Sequence, residues 1–474
     1  MTPGGSSNRP VLLVSLLVLG GGSFALIQSF VAPALGLIQE ELGASTTGAG
    51  WIFTAYLLSA SVCTPVAGRL GDIFGRRRLL VISLLLIAAG SLVAALSSSL
   101  AVLLFARIVQ GAGGGVFPLG FSIIKDQLPP NRVPTGIALL SSSLGTGGAI
   151  GIALAGTVVD ALSYHWLFWI PAGVSTIAAV GTALFIPESG VRVRARVDYK
   201  GAALLALTLI ALLLAASNAP AWGWAAPGTV ALALAFVVFL TWWLKSARST
   251  PMPLVDVGTM RRRGVWTANA AGLLLGFGMF SSYIIVPRFV QVPRTSGYGF
   301  DASLSASGLF LVPASVAMIA VAPLAGRLAR KGARPPLLLG SVVACLAFAF
   351  VAAAHSAPWH IYTATTLMGV GMGFAYSAMA TLVVDSVPAS QTGVASGMNM
   401  IMRTIGGAGG AAIGTGIVGA SVGAAGSPTE QAFTLTFVVC AAAAAGAVAA
   451  SVSAPAARSA RSHVMSETPV AETL

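Results

Sequence analysis

Two arginines stand where the surrounding text is apolar. Arg107 sits in "LLFARIVQGAGGGVF" and Arg403 in "GVASGMNMIMRTIGGAGG". A guanidinium keeps its proton in a protein and presents five N–H donors in a fixed fork. Its chemistry is therefore to hold anions, carbonyls or aromatic faces, not to pass protons on. Gln110 follows Arg107 by three residues and Asn399 precedes Arg403 by four, so on helices each amide lies beside its arginine. Met398, Met400 and Met402 add soft, adaptable surface around the second pair, as pockets for varied molecules often do. Two readings stand for each arginine. Arg107, with Gln110, either faces an aqueous cavity or is tied to backbone carbonyls; Asn399 and Arg403, flanked by Met398 and Met402, either contact a bound molecule or brace their helix.

Carboxylates are scarce and peripheral. The thirteen acids are Glu40, Glu41, Asp72, Asp126, Asp160, Glu188, Asp198, Asp256, Asp301, Asp385, Glu430, Glu467 and Glu472, and none falls in the middle of an apolar run. If a proton is exchanged, Asp160, Asp301 or Glu430, near the ends of runs, are the available titrators. Cys63, Cys345 and Cys440 lie far apart in apolar text, which points to neither a disulfide framework nor a metal site. No glycine-rich phosphate loop is present, so ATP hydrolysis by this chain is not expected, nor is any bound cofactor. The adjacent Glu40 and Glu41 resemble the metal-binding acids of a polytopic lipid-linked glycosyltransferase, a distant alternative in a loop this short.

The elements that must position these groups are membrane helices. Hydrophobic residues make up 56% and charged residues 8%, against about a quarter charged in soluble domains. We count fourteen apolar runs, at 11–33, 50–68, 79–98, 100–123, 134–157, 165–186, 201–217, 228–245, 265–289, 303–325, 335–354, 359–382, 393–418 and 431–453. Each is close to the ~20 residues a helix needs to cross hydrocarbon. With both termini placed in the cytoplasm, 22 of the 26 Lys and Arg fall in cytoplasmic segments and only Arg288 and Arg294 outside, the asymmetry expected of a multi-pass plasma-membrane protein. The net charge of +13 therefore reports topology and not nucleic-acid binding. The bilayer is the expected partner, and the chain is expected to be a monomer.

Between the second and third runs stands "GRLGDIFGRRR", read as a tight charged hairpin with Gly68, Gly71 and Gly75 turning the backbone. Part of it recurs: Gly68-Arg69-Leu70 as Gly326-Arg327-Leu328, Gly111, Gly113 and Gly115 as Gly369, Gly371 and Gly373, and Pro130 as Pro388, all 258 residues on. The fold class expected is thus an all-α polytopic membrane protein of two homologous six-helix bundles, 1–190 and 263–454. A basic linker with two extra spans occupies 191–262, and a disordered cytoplasmic tail 455–474.

"GRLGDIFGRRR" resembles the loop signature of the major facilitator superfamily. "RIVQGAGGG" and "ASGMN…R…GG" are similar to motifs of its fourteen-span drug:proton antiporters, actinobacterial members in particular. The resemblance implies that Asp72, flanked by Gly68 and Gly75, acts as a latch acid with Arg76, Arg77 and Arg78 as its basic partners. It implies a proton-transfer role for Arg107, and a substrate site near the midplane between the bundles. Gly147, Gly151 and Gly156 match the family's antiporter motif "GxxxGPxxGG", with Ile152 in place of its proline and Ala155 in place of a glycine. Span one lacks the aspartate of relatives, Phe24 or Ala25 standing there. The function implied is export of small amphipathic compounds by proton antiport, the proton gradient supplying the energy. Two embedded cations and no embedded acid favour neutral or anionic substrates. An importer or uniporter of the same fold is the alternative that the altered fifth span leaves open.

Overall fold

The computed structural model describes residues 9–44, 46–189, 198–251, 253–421 and 428–455. Residues 190–197, which hold the 190/191 boundary and the first arginines of the basic linker, and the tail from 456 on lie outside the described residues. The helices, in order, are α1 (Arg9–Glu41), α2 (Thr46–Phe74), α3 (Arg76–Ala95), α4 (Leu100–Ala112), α5 (Val116–Gln127), α6 (Val133–Ala161), α7 (Trp166–Phe185), α8 (Tyr199–Trp222), α9 (Pro227–Ser249), α10 (Val257–Met260), α11 (Arg263–Gln291), α12 (Leu304–Leu309), α13 (Val312–Ala329), α14 (Arg334–Ala353), α15 (Pro358–Ser386), α16 (Thr392–Ala420) and α17 (Glu430–Val452).

Thirteen stretches among the described residues are long and apolar enough to cross a membrane. The fourteenth expected span, 393–418, is α16, a continuous helix of 29 residues. Its glycines and Arg403 make it too polar to stand out by hydropathy, and it is polar because protein surrounds it: it packs on α11, α2 and α5. Helix α9 is the opposite case, with Leu234, Val237, Val238 and Trp242 all exposed. Apolar side chains face outward there because hydrocarbon, not water, is their solvent.

The two bundles repeat each other. The close pairs α1–α6, α2–α4 and α3–α7 recur as α11–α16, α13–α15 and α14–α17. The sequence repeat is built into these contacts. A Cβ on Gly111 would meet the carbonyl of Tyr56 at 2.6 Å, and one on Gly369 would strike the backbone of Ala314, 258 residues after Tyr56. Small residues let membrane helices approach backbone to backbone, so these glycines are packing surfaces first. The extra pair, α8 and α9, packs mainly on itself, with α8 laid against α2 and α16.

The hairpin reading of "GRLGDIFGRRR" needs correcting. Gly68 and Gly71 lie inside α2, which runs on to Phe74. Gly75 alone makes the turn, at φ 112°, before α3 begins. Gly68 is required for a different reason: a Cβ there would sit 2.6 Å from the carbonyl oxygen of Gly393, where α2 crosses α16.

Candidate functional site

At the end of α2 the structure builds a buried charge cluster. Asp72 is fully buried, and its Oδ1 accepts from Arg76 Nε at 3.0 Å and Nη2 at 2.8 Å. Arg76 also pairs with Asp126 at the end of α5, and Asp126 accepts from Ser189 Oγ at 2.6 Å. The other two arginines go elsewhere. Arg77 donates to the Ala183 carbonyl, and Arg78 is exposed. Glu188, unremarked in the sequence, caps α3 by accepting from the backbone N–H groups of Arg77 (3.0 Å) and Arg78 (3.2 Å), a carboxylate at the positive end of a helix.

This cluster lies within the first bundle; the tie to the second is Lys125. Its ammonium donates to the carbonyls of Val384 (2.5 Å) and Val387 (3.0 Å) and reaches Thr392 Oγ1 at 3.4 Å. Only its place beside Asp126 at the end of the fourth span hinted at this. Together with the Gly68–Gly393 crossing it joins the two bundles at the end where the positive charges cluster, the end to which the family resemblance assigns the gate.

Deeper in, each arginine has a tyrosine face, an amide and a buried idle nitrogen. Arg107 donates to the Ile52 carbonyl (2.9 Å), the Ile27 carbonyl (3.3 Å) and Gln110 Oε1 (2.7 Å), and lies over the Tyr56 ring. Gln110 in turn donates to Ser91 Oγ at 2.9 Å. Arg403 donates to Asn399 Oδ1 at 2.8 Å and lies over the Tyr376 ring at 4.3 Å; Asn399 donates to the Ala268 carbonyl at 2.9 Å. Arg107 Nη2 and Arg403 Nε are buried without a hydrogen-bond partner among the described residues. No carboxylate touches either guanidinium among those residues.

Of the two readings for Arg107, this conformation adopts the carbonyl-tied one. The residue has no exposed surface and does not line the cleft between the bundles. That cleft is bounded by Phe24, Gln28, Tyr56, Ser61, Met400 and Thr404 and encloses about 10 Å³, about the room of a single water. Arg403 and Asn399 likewise face inward, against Gly272 of α11. Met398 packs in a core with Leu204, Trp243 and Leu254 beside the extra helices, and Met402 packs against the same core. It is Met400 and Thr404 that reach the cleft. Helical arithmetic could have found them, because residues two apart point to nearly opposite sides of a helix while 400 and 404 share one.

The peripheral candidates are spread over the outer end. Asp160 Oδ2 accepts from Ser305 Oγ at 2.9 Å, joining α6 to α12. Asp301 holds a loop at φ 54°. Glu430 meets His355 Nε2 at 2.9 Å, while His355 Nδ1 lies 2.9 Å from the Val351 carbonyl. The structure does not bring these three acids together with Arg107. Gly147 and Gly151 seat α6 on α1, against Ala25 and Ser29, whereas Gly156 faces Ser305 of α12 in the other bundle.

This arrangement matches known proteins along most of its length. The chain is 27% identical over 422 residues to the tetracenomycin C resistance and export protein of Streptomyces glaucescens, covering 88% of this chain and 76% of that one. It is 24% identical over 396 residues to multidrug resistance protein 3 of Bacillus subtilis, covering 82% and 76%. Among solved structures it superposes on the human organic anion transporter MFSD10 (TETRAN) with a TM-score of 0.65 at 17% identity, covering 94% of this chain and 100% of that one; at that identity the likeness concerns the fold. The model of the Major Facilitator Superfamily matches residues 17–411, and the chain belongs to that superfamily.

Proposed function

We propose that this protein is a secondary exporter of small amphipathic compounds in the plasma membrane, working as a monomer by proton antiport with both termini in the cytoplasm. Names of relatives support the direction: a tetracenomycin C resistance and export protein and a multidrug resistance protein are both similar over four-fifths or more of this chain. The solute crosses unchanged when the α2–α16 crossing and the Lys125 tie release, and the bundles rock about the cleft that Tyr56 and Met400 line.

The observation that carries the substrate reading is the pair of buried guanidiniums without a carboxylate partner among the described residues. Fixed positive charge in a low-dielectric interior repels a cation brought into the cleft and favours a neutral or acidic solute. Asp160, Asp301 and Glu430 remain the proton-binding candidates, with Glu430 best placed because His355 shares its hydrogen bond. The test is efflux from energised everted vesicles, using matched cationic, neutral and anionic amphiphiles. Gradient-dependent movement of the neutral and acidic compounds supports the reading. Preference for the cations refutes the charge argument, and uptake unaffected by collapse of the gradient points to a uniporter.

A further inference from the structure

Beside the α2–α16 crossing, at the gate end, the surface opens into a second cavity of about 510 Å³. Pockets of roughly this size accept ligands of modest mass. Its walls come from three parts of the chain. Arg69 comes from α2 in the first bundle, Arg248, Leu254, Asp256 and Thr259 from the segment linking the extra helices to α11, and Gln391 and Val394 from just before and within the start of α16.

The polar atoms are unevenly spent. Arg69 is nine-tenths buried, yet among the described residues no protein acceptor takes a hydrogen bond from its guanidinium. Asp72, one turn on, gives its Oδ1 to Arg76, while its Oδ2 takes no hydrogen bond among the described residues and its charge acts on Arg69 from one side. Arg248 stands exposed at the mouth. The one acid of the lining, Asp256, is already occupied: Oδ1 accepts from Gly258 N at 2.8 Å and Oδ2 from Thr259 Oγ1 at 2.9 Å. The Thr259 hydroxyl also lies 2.8 Å from Gln391 Oε1, which fixes that amide. The lining thus sets two arginines and the exposed, hydrogen-bonded Asp256 around an apolar floor that includes Leu254 and Val257.

We propose that this cavity binds a phosphate ester, with Arg69 as the inner donor and Arg248 as the outer one, and that the bound ester holds the gate end shut. Guanidinium forks match phosphate oxygens bidentately, and the apolar floor suits the carbon side of an ester. The walls belong to both bundles, so the site is complete only while α2 and α16 are in contact. A ligand that binds one conformation shifts the balance towards it. The ester has two possible sources, the headgroup of an anionic phospholipid or a soluble metabolite of the cytosol.

The experiment uses the full chain in phosphatidylcholine nanodiscs. One arm titrates glycerol 3-phosphate; the other replaces part of the lipid with phosphatidylglycerol. Thermal midpoint and a spin-label distance across the gate end are read in both. The expected result is a higher midpoint and a narrower, shorter distance in at least one arm, the responding arm naming the source. Arg69→Gln with Arg248→Gln should weaken the response about tenfold or more, while Arg330→Gln, on an exposed loop elsewhere, should keep it. Should the double variant fail to fold, Arg248→Gln alone gives the same reading from an exposed position. No response in either arm, an equal response in the variants, or a gate that opens on binding would overturn the proposal.

Discussion

The guanidinium carbon of Arg107 lies 4.5 Å from the centroid of the Tyr56 ring, and that same ring lines the cleft between the bundles. The charge is thus not open to the cleft but stands one aromatic ring behind it. Tyr56→Phe keeps the face and loses only the hydroxyl bond to the Phe24 carbonyl, 3.2 Å long. It should cost about 1 kcal/mol of stability and leave transport nearly intact. Arg107→Met should cost several times more, because the Ile52 and Ile27 carbonyls and Gln110 lose their donor together at ~1–3 kcal/mol each. Thermal unfolding in detergent, with efflux measured alongside, checks both.

The crossing of α2 and α16 is backbone against backbone. Gly68→Ala places a methyl 2.6 Å from the Gly393 carbonyl oxygen, an overpacking that should weaken the closed gate by roughly 1–3 kcal/mol. Gly22→Ala is the control, since a Cβ there meets nothing within 4 Å. Label-to-label distances across the gate end should lengthen in the first variant only; an unchanged distribution there would show that the crossing is not part of the gate.

Lys125 offers a second handle on the same equilibrium. Lys125→Met removes the donor to the Val384 and Val387 carbonyls and should shift the gate towards open while leaving the Asp72–Arg76–Asp126 cluster in place. Cysteine accessibility on the cleft side of α16, probed from the cytoplasm, should rise severalfold. Equal accessibility in variant and parent would assign the tie to stability alone.

Much of this was legible beforehand. The span count, the doubled bundles and the embedded arginines follow from hydropathy, a constant offset and the cost of burying charge. The readings that missed were about direction, not presence. Arg77 and Arg78 stand next to Arg76 in the text, yet the turn at Gly75 and the cap by Glu188 send them away from Asp72. Met398 and Met402 point to α8 because the extra helix pair packs beside this part of α16, a neighbour that a single sequence does not announce. The partners of Lys125 were hidden because they are backbone carbonyls, which carry no residue signature.

At the outer end, His355 stands between the Val351 carbonyl and the Glu430 carboxylate and so ties the end of α14 to the start of α17. On the proposal that Glu430 takes up the exchanged proton, Glu430→Gln should blunt the dependence of efflux on external pH, and Asp301→Asn, whose acid lies in a loop away from His355, should leave it unchanged. Efflux rates across an external pH series decide between them. A parental pH profile in the Glu430 variant would remove this pair from the coupling.

Helix α16 carries nine glycines, an asparagine and an arginine in 29 residues, and its oily neighbours cover it. For the machinery that threads nascent helices into the bilayer, such a segment is a poor passenger when it arrives alone. It packs chiefly against α11, α2 and α5, all synthesised before it, so its insertion depends on earlier helices waiting in place.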